Sequence, residues 1–140
     1  MIQISAQVQN RQGSHQVELT TNGNAHAISV PPRSTGFGSS ANGGEMLFAA
    51  LATCYCNDIY REAAKKNIVV WSVKVEVSGT FCDTPGSTAE NITYSATVEA
   101  EASESEIEAL MRYTDTVAEI QNTLRLGIPV TLAETHAISV

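Results

Sequence analysis

The chain has 140 residues, 43% of them hydrophobic and 16% charged, with 15 acidic against 8 basic residues and a formal charge of −7. That size suits one globular domain over residues 1–140, with a real core and no room for a second. An acidic surface repels phosphate backbones, and the densest basic spot, Lys65-Lys66 near Arg61, has Asp58 and Glu62 among it. No nucleic-acid partner is therefore expected. No apolar run approaches the roughly 20 residues that span a bilayer, and Met1 to Ser5 lacks the basic and apolar regions of a signal peptide. The expectation is a cytoplasmic protein without a membrane partner, whose three cysteines, Cys54, Cys56 and Cys82, stay reduced unless one is a redox group.

In chain order, Ile2, Ile4, Ala6 and Val8 alternate with polar residues, the period of a half-buried strand. Asn10-Arg11-Gln12-Gly13 reads as a hairpin turn, after which Val17 and Leu19 resume the alternation. Asn22-Gly23-Asn24 is a second tight turn, and a third strand through His26, Ile28 and Val30 must end at Pro31-Pro32, because proline cannot donate to a ladder. Residues 34–44 form a glycine-containing loop that matches no phosphate-binding fingerprint. Glu45 to about Lys66 reads as an alanine-rich helix. Val69 to Phe81 is a long strand, with Val69, Trp71, Val73, Val75 and Val77 on one face, and Ile92 to Val98 its antiparallel partner. Ser103 and Glu106 form a capping-box signature for a helix carrying Ile107, Leu110, Met111, Val117, Ile120 and Leu124, which stops before Gly127. A last strand is expected over Val130 to Val140. The order βββ–α–ββ–α–β, with strands in hairpins, predicts an α+β fold.

On the central helix, Leu47, Ala50, Leu51, Cys54, Asp58 and Arg61 share one stripe, while Ala49, Ala52, Cys56, Ile59 and Ala63 share the opposite one. The first half is apolar on most sides and is expected to be buried. Cys54 and Cys56 point nearly opposite ways, so they are no Cys-x-x-Cys redox pair, and a disulfide between them would require unwinding. Cys54 reads either as a small buried hydrophobe or as a thiol tuned by the charges one and two turns onward. Cys-x-Cys with distant His15, His26 and His136 does not match zinc-ligand spacing, so neither metal nor cofactor is expected. Tyr55, Tyr60 and Trp71 either line a pocket or fill the core.

Glu45-Met46-Leu47-Phe48-Ala49-Ala50-Leu51-Ala52-Thr53-Cys54, followed by Asp58 and by Val73-Lys74-Val75-Glu76-Val77-Ser78-Gly79, resembles the OsmC-like superfamily, which includes the organic hydroperoxide resistance proteins. Asn122-Thr123-Leu124-Arg125 with Ile128-Pro129-Val130 extends the resemblance toward the C-terminus. It implies an intertwined homodimer with two central helices at its heart and sites at the subunit interface. It also implies thiol-dependent reduction of organic hydroperoxides, in which the cysteine at the position of Cys54 becomes a sulfenic acid and a second cysteine then forms a disulfide with it. The resemblance further implies that an arginine from the N-terminal hairpin and a glutamate before the helix help hold the thiolate. The matching residues here are Arg11, in Arg11-Gln12-Gly13, and Glu45, with Arg33 and Arg61 as competitors for the arginine's role.

Two departures change that expectation. The second-cysteine position falls on Ala118, so a two-cysteine cycle cannot run as in the catalytic branches. Glu45 stands one residue out of register with the catalytic glutamate, although it fits the branch whose motif is Pro-x-Glu-Leu-Leu. One reading is therefore a one-cysteine thiol peroxidase, with Cys54 as nucleophile and an external thiol as reductant. The other is a non-catalytic dimer binding a small apolar or thiol-reactive molecule at its interface. Resolution of the sulfenic acid by Cys56 or Cys82 is a third.

Overall fold

The computed structural model describes all 140 residues, Met1–Val140, as two compact units, Met1–Leu47 and Phe48–Val140. In the first, β1 (Ile4–Arg11), β2 (Ser14–Thr21) and β3 (Asn24–Ile28) form an antiparallel sheet in that order. Asn22 and Gly23 both take positive φ, 47° and 82°, as a two-residue hairpin turn compatible with right-handed strand twist requires. The register pairs Ala6 with Leu19, Val8 with Val17 and Val17 with Ile28, gathering the apolar residues of all three strands on one face. Gln7, Gln9, Gln16 and Glu18 fall on the other. Val17 is buried, but Ile4 and Val8 are exposed.

Helix α1 (Gly43–Lys65) begins at a reciprocal cap. Asn42 Oδ1 accepts the Glu45 N–H at 2.8 Å, and Glu45 Oε1 accepts the Asn42 N–H at 3.0 Å. It ends with Asn67 in the left-handed region at φ 56°, and Ile68 N–H closes back on Ala63 O at 3.0 Å. Its buried residues are Leu51, Tyr55, Asp58, Ile59, Glu62 and Ala63. The helix thus buries one stripe running from Leu51 to Ala63, whereas the sequence reading expects the first half to be covered on most sides. Ala49 and Ala50 are exposed.

In the second unit, β4 (Val70–Phe81) pairs antiparallel with β5 (Ala89–Ala100), matching Val73 with Val98, Val75 with Ala96 and Val77 with Tyr94. Tyr55, Ile59 and Ala63 of α1 and Leu110 of α2 (Glu104–Val117) pack with that valine-rich face to form the core. Bulges at Val70/Ser72 and Ser78/Thr80 interrupt the ladder, and Trp71 is exposed. Helix α2 starts at the expected capping box of Ser103 and Glu106.

The sequence reading carries this second helix on to Leu124; the structure breaks it at Ala118, which is extended (φ −71°, ψ 108°) and fully buried, and restarts it as α3 (Glu119–Leu126). Side chains of α3 satisfy the carbonyls freed by the break. Asn122 Nδ2 donates to Thr116 O at 3.1 Å, and Arg125 Nη1 to Asp115 O at 3.2 Å. Arg125 Nη2 also pairs with the Asp115 carboxylate at 2.7 Å, and Tyr94 OH donates to the same carboxylate. α3 closes at Gly127 in the left-handed region. The expected last strand is not formed within the chain: residues 128–140 have no regular structure, and Val130, Leu132 and Ile138 stand exposed. A strand needs a ladder partner, and the chain itself supplies none there.

Leu110 is the fully buried contact between α2 and the core. Leu110→Ala is expected to destabilise the fold by about 2–5 kcal/mol, read as a lower urea midpoint at unchanged slope.

Candidate functional site

Cys54 lies half-buried on α1 where the start of α3 meets it. Its Sγ is 3.6 Å from Asp58 Oδ2, one helical turn onward on the same face. The break at Ala118 brings Glu119, the first residue of α3, to the other side, with Oε2 at 3.9 Å from Sγ. Arg61 joins the two carboxylates: its Nη1 is 3.0 Å from Asp58 Oδ1 and 3.0 Å from Glu119 Oε1. Its Nε donates to Glu62 at 2.8 Å, and Lys65 covers the same Glu62 carboxylate at 3.0 Å. One turn before Cys54, Gln121 Nε2 donates to Leu51 O at 3.0 Å, a second tie between α3 and α1. The Gln121 Oε1 is buried without a partner.

Burial pushes the Cys54 thiol above its ordinary titration range. The backbone N–H of Ile120, at the positive end of α3, pulls the other way, and the charges of Asp58 and Glu119 push it up again. Burial and the neighbouring Glu119 raise Asp58, with Arg61 and Cys54 opposing. Glu119 itself is lowered, by its own backbone N–H and by Arg61. The thiol therefore faces two carboxylates directly and their shared cation at one remove. Sulfur and two carboxylate oxygens lie within 4.8 Å of one another, enough in number for a metal, but Arg61 already supplies the positive charge that both carboxylates take.

Of the residues singled out in the sequence, the structure brings Cys54, Asp58 and Arg61 together. Glu45 is committed to the cap of α1 through Asn42. Arg11 ends β1, exposed, opposite Ser14 in the hairpin. Cys56 is half-buried, and Cys82 is exposed in the β4–β5 connection, with Sγ 3.6 Å from Thr84 Oγ1; all three cysteines are free thiols. Tyr55 serves the core: its ring meets Tyr94 edge-on at 5.0 Å, and its hydroxyl donates to Met111 O. Glu119 is the residue that sequence reasoning missed. Its signal was adjacency to position 118, where a second cysteine was sought.

The family model described as OsmC-like protein matches residues 36–133, and the chain belongs to that family. Among solved structures it is similar to an OsmC-like protein from Mycoplasma pneumoniae, at 18% identity over 89% of this chain and 87% of that one, with TM-score 0.61. An OsmC-like protein of unknown function from Vibrio cholerae shares 16% identity over 86% and 92% of the two chains, with TM-score 0.59. An organic hydroperoxide resistance protein OsmC from Legionella pneumophila shares 21% over 88% and 89%, with TM-score 0.50. At such identities the likeness is one of fold. Among curated proteins none matches the sequence. No helix is long and apolar enough to cross a membrane.

Because burial and two carboxylates hold Cys54 protonated, its alkylation rate is expected to keep climbing with pH beyond about 8.5, where a free cysteine levels off. In Glu119→Gln the rate at neutral pH should rise several-fold. An unchanged rate would show that the Glu119 charge does not act on the sulfur.

Proposed function

We propose that the protein is a one-cysteine, thiol-dependent organic hydroperoxide reductase. The Cys54 sulfur attacks the terminal peroxide oxygen, the O–O bond breaks, and Cys54 becomes a sulfenic acid while the peroxide leaves as an alcohol. One molecule of an external thiol then condenses with it, releasing water and forming a mixed disulfide. A second external thiol exchanges with that bond to regenerate Cys54. The observation that carries this reading is the free, half-buried Cys54 thiol at the meeting of α1 and α3, with carboxylate oxygens at 3.6 and 3.9 Å from its sulfur. Ala118 at the second-cysteine position calls for the reductant to come from outside. The description of the Legionella pneumophila protein as a hydroperoxide resistance protein favours the same chemistry.

The second reading, a non-catalytic protein that holds a small apolar or thiol-reactive molecule, is favoured by the carboxylates that keep Cys54 protonated. Peroxide loss with cumene hydroperoxide and a small dithiol separates the two. The reductase is expected to turn over, with Cys54→Ser inactive. Turnover that survives in Cys54→Ser would falsify the assignment, and none in the unaltered protein would leave the binding reading.

The functional unit in this proposal is a homodimer. The chain exposes 10602 Å², whereas even two separate compact bodies of about 5 and 10 kDa would expose only about 8,400 Å². Exposed apolar side chains include Ile4 and Val8 on the edge strand β1 and Val130, Leu132 and Ile138 in the C-terminal segment, which has no ladder partner. Light scattering at micromolar concentration is expected to give twice the 14.9 kDa chain mass; a monomer would remove the dimer from the proposal.

A further inference from the structure

Arg61 grips Asp58 and Glu119 by the same device. It takes Oδ1 of one and Oε1 of the other, each at 3.0 Å, and this turns the second oxygen of each carboxylate toward Cys54 Sγ. The two carboxylates differ in their surroundings: the Asp58 side chain is 8% exposed and that of Glu119 is 63% exposed. The charged groups facing the sulfur are thus Asp58 from α1 and Glu119 from α3, with Arg61 between them. Glu62 behind them is taken up by Arg61 and Lys65. Reduction of a hydroperoxide needs a proton removed from the thiol and a proton delivered to the leaving oxygen, and a carboxylate within reach of the sulfur can do both.

Resting on the reductase reading above, we propose that Asp58 is a catalytic acid–base residue. It takes the Cys54 thiol proton and returns it to the leaving alkoxide of the hydroperoxide. Glu119 and Arg61 are positioning residues that hold its free oxygen on the sulfur. In the step, the S–H proton passes to Asp58 Oδ2, and a sulfur electron pair forms the S–O bond to the terminal peroxide oxygen. The O–O bond breaks with its electron pair on the alkoxide, and the proton on Asp58 converts the alkoxide to an alcohol. Sulfur is oxidised by two electrons, the peroxide is reduced by two, and Asp58 ends as it began.

Two reagents that Cys54 attacks through its sulfur separate this role from a purely electrostatic one. Iodide leaves iodoacetamide without a proton; the alkoxide of cumene hydroperoxide leaves with one. In Asp58→Asn, removing the charge is expected to speed alkylation at neutral pH several-fold, while sulfenic acid formation slows by about a hundred-fold. If both reactions become faster, Asp58 is only a brake on the thiolate; if both become slower, it is only structural. Either result overturns the assignment. If Asp58→Asn fails to fold, the unaltered protein gives the second test. From neutral to mildly alkaline pH, alkylation should climb about tenfold per pH unit, while sulfenic acid formation stays within about two-fold, because the proton that leaves the sulfur is the proton the alkoxide needs. Parallel climbs overturn the relay while leaving the reductase standing. No sulfenic acid at any pH in the unaltered protein sinks the reductase reading, and this one with it.

Discussion

The bend at Ala118 is the constraint on which the site depends. Were α2 to run on unbroken, the carbonyls near Thr116 would bond within the helix, and Glu119 would continue along the α2 axis. With Ala118 extended and fully buried, the chain turns, and a second helix start is created against α1. That start delivers three things to Cys54 and its surroundings: the Ile120 N–H, the Glu119 carboxylate and the Gln121 amide that ties α3 to Leu51. The bend needs no glycine or proline. Asn122, Arg125 and Asp115 replace the lost helical bonds, and Tyr94 anchors that group to β5.

Asp58 is buried and Glu119 approaches it, an arrangement that like-charge repulsion would oppose if left alone. Arg61 resolves it. A guanidinium presents several donors in a plane, so one side chain serves Asp58, Glu119 and Glu62 together, which a lysine ammonium would do with poorer geometry. The net effect at the sulfur remains negative, because the carboxylate oxygens face it and the cation lies beyond them. A thiol in such a place is held as S–H by its neighbours, in contrast to the cation-flanked cysteines whose titration is depressed.

The sequence showed the hairpin strands, the capping box at Ser103 and the Cys54–Asp58–Arg61 stripe because these rest on local periodicity and short-range chemistry. Cys54 and Asp58 are one turn apart on any helix, so their meeting was legible before any fold was known. Glu119 was not legible. It comes to Cys54 across 65 positions, through a bend held by side chains from three elements, with no turn residue at position 118 to announce it. The last strand failed for a related reason: alternation at Val130, Leu132, Ile138 and Val140 marks a segment able to pair, but only a partner edge makes it a strand. The exposed Ala49 and Ala50 of α1 belong to the same class. An apolar pattern says that a surface is fit to be covered and is silent on what covers it.

A protonated thiol beside a carboxylate changes which oxidants the site favours. A free thiolate reacts with accessible electrophiles at rates set by its own nucleophilicity and by their leaving groups. At Cys54 burial and two carboxylates disfavour the thiolate, and under the proposed relay the proton that Asp58 takes from the sulfur remains poised for a leaving oxygen. Substrates whose departure needs a proton then gain from the same carboxylate that slows all others. Alkylating agents and disulfides, whose leaving groups gain less from that proton, meet a thiol that burial and charge hold back. The alanine at position 118 fits such chemistry. Under the proposed cycle the sulfenic acid would wait for a reductant from solution, and between turnovers a thiol held protonated meets fewer competing electrophiles.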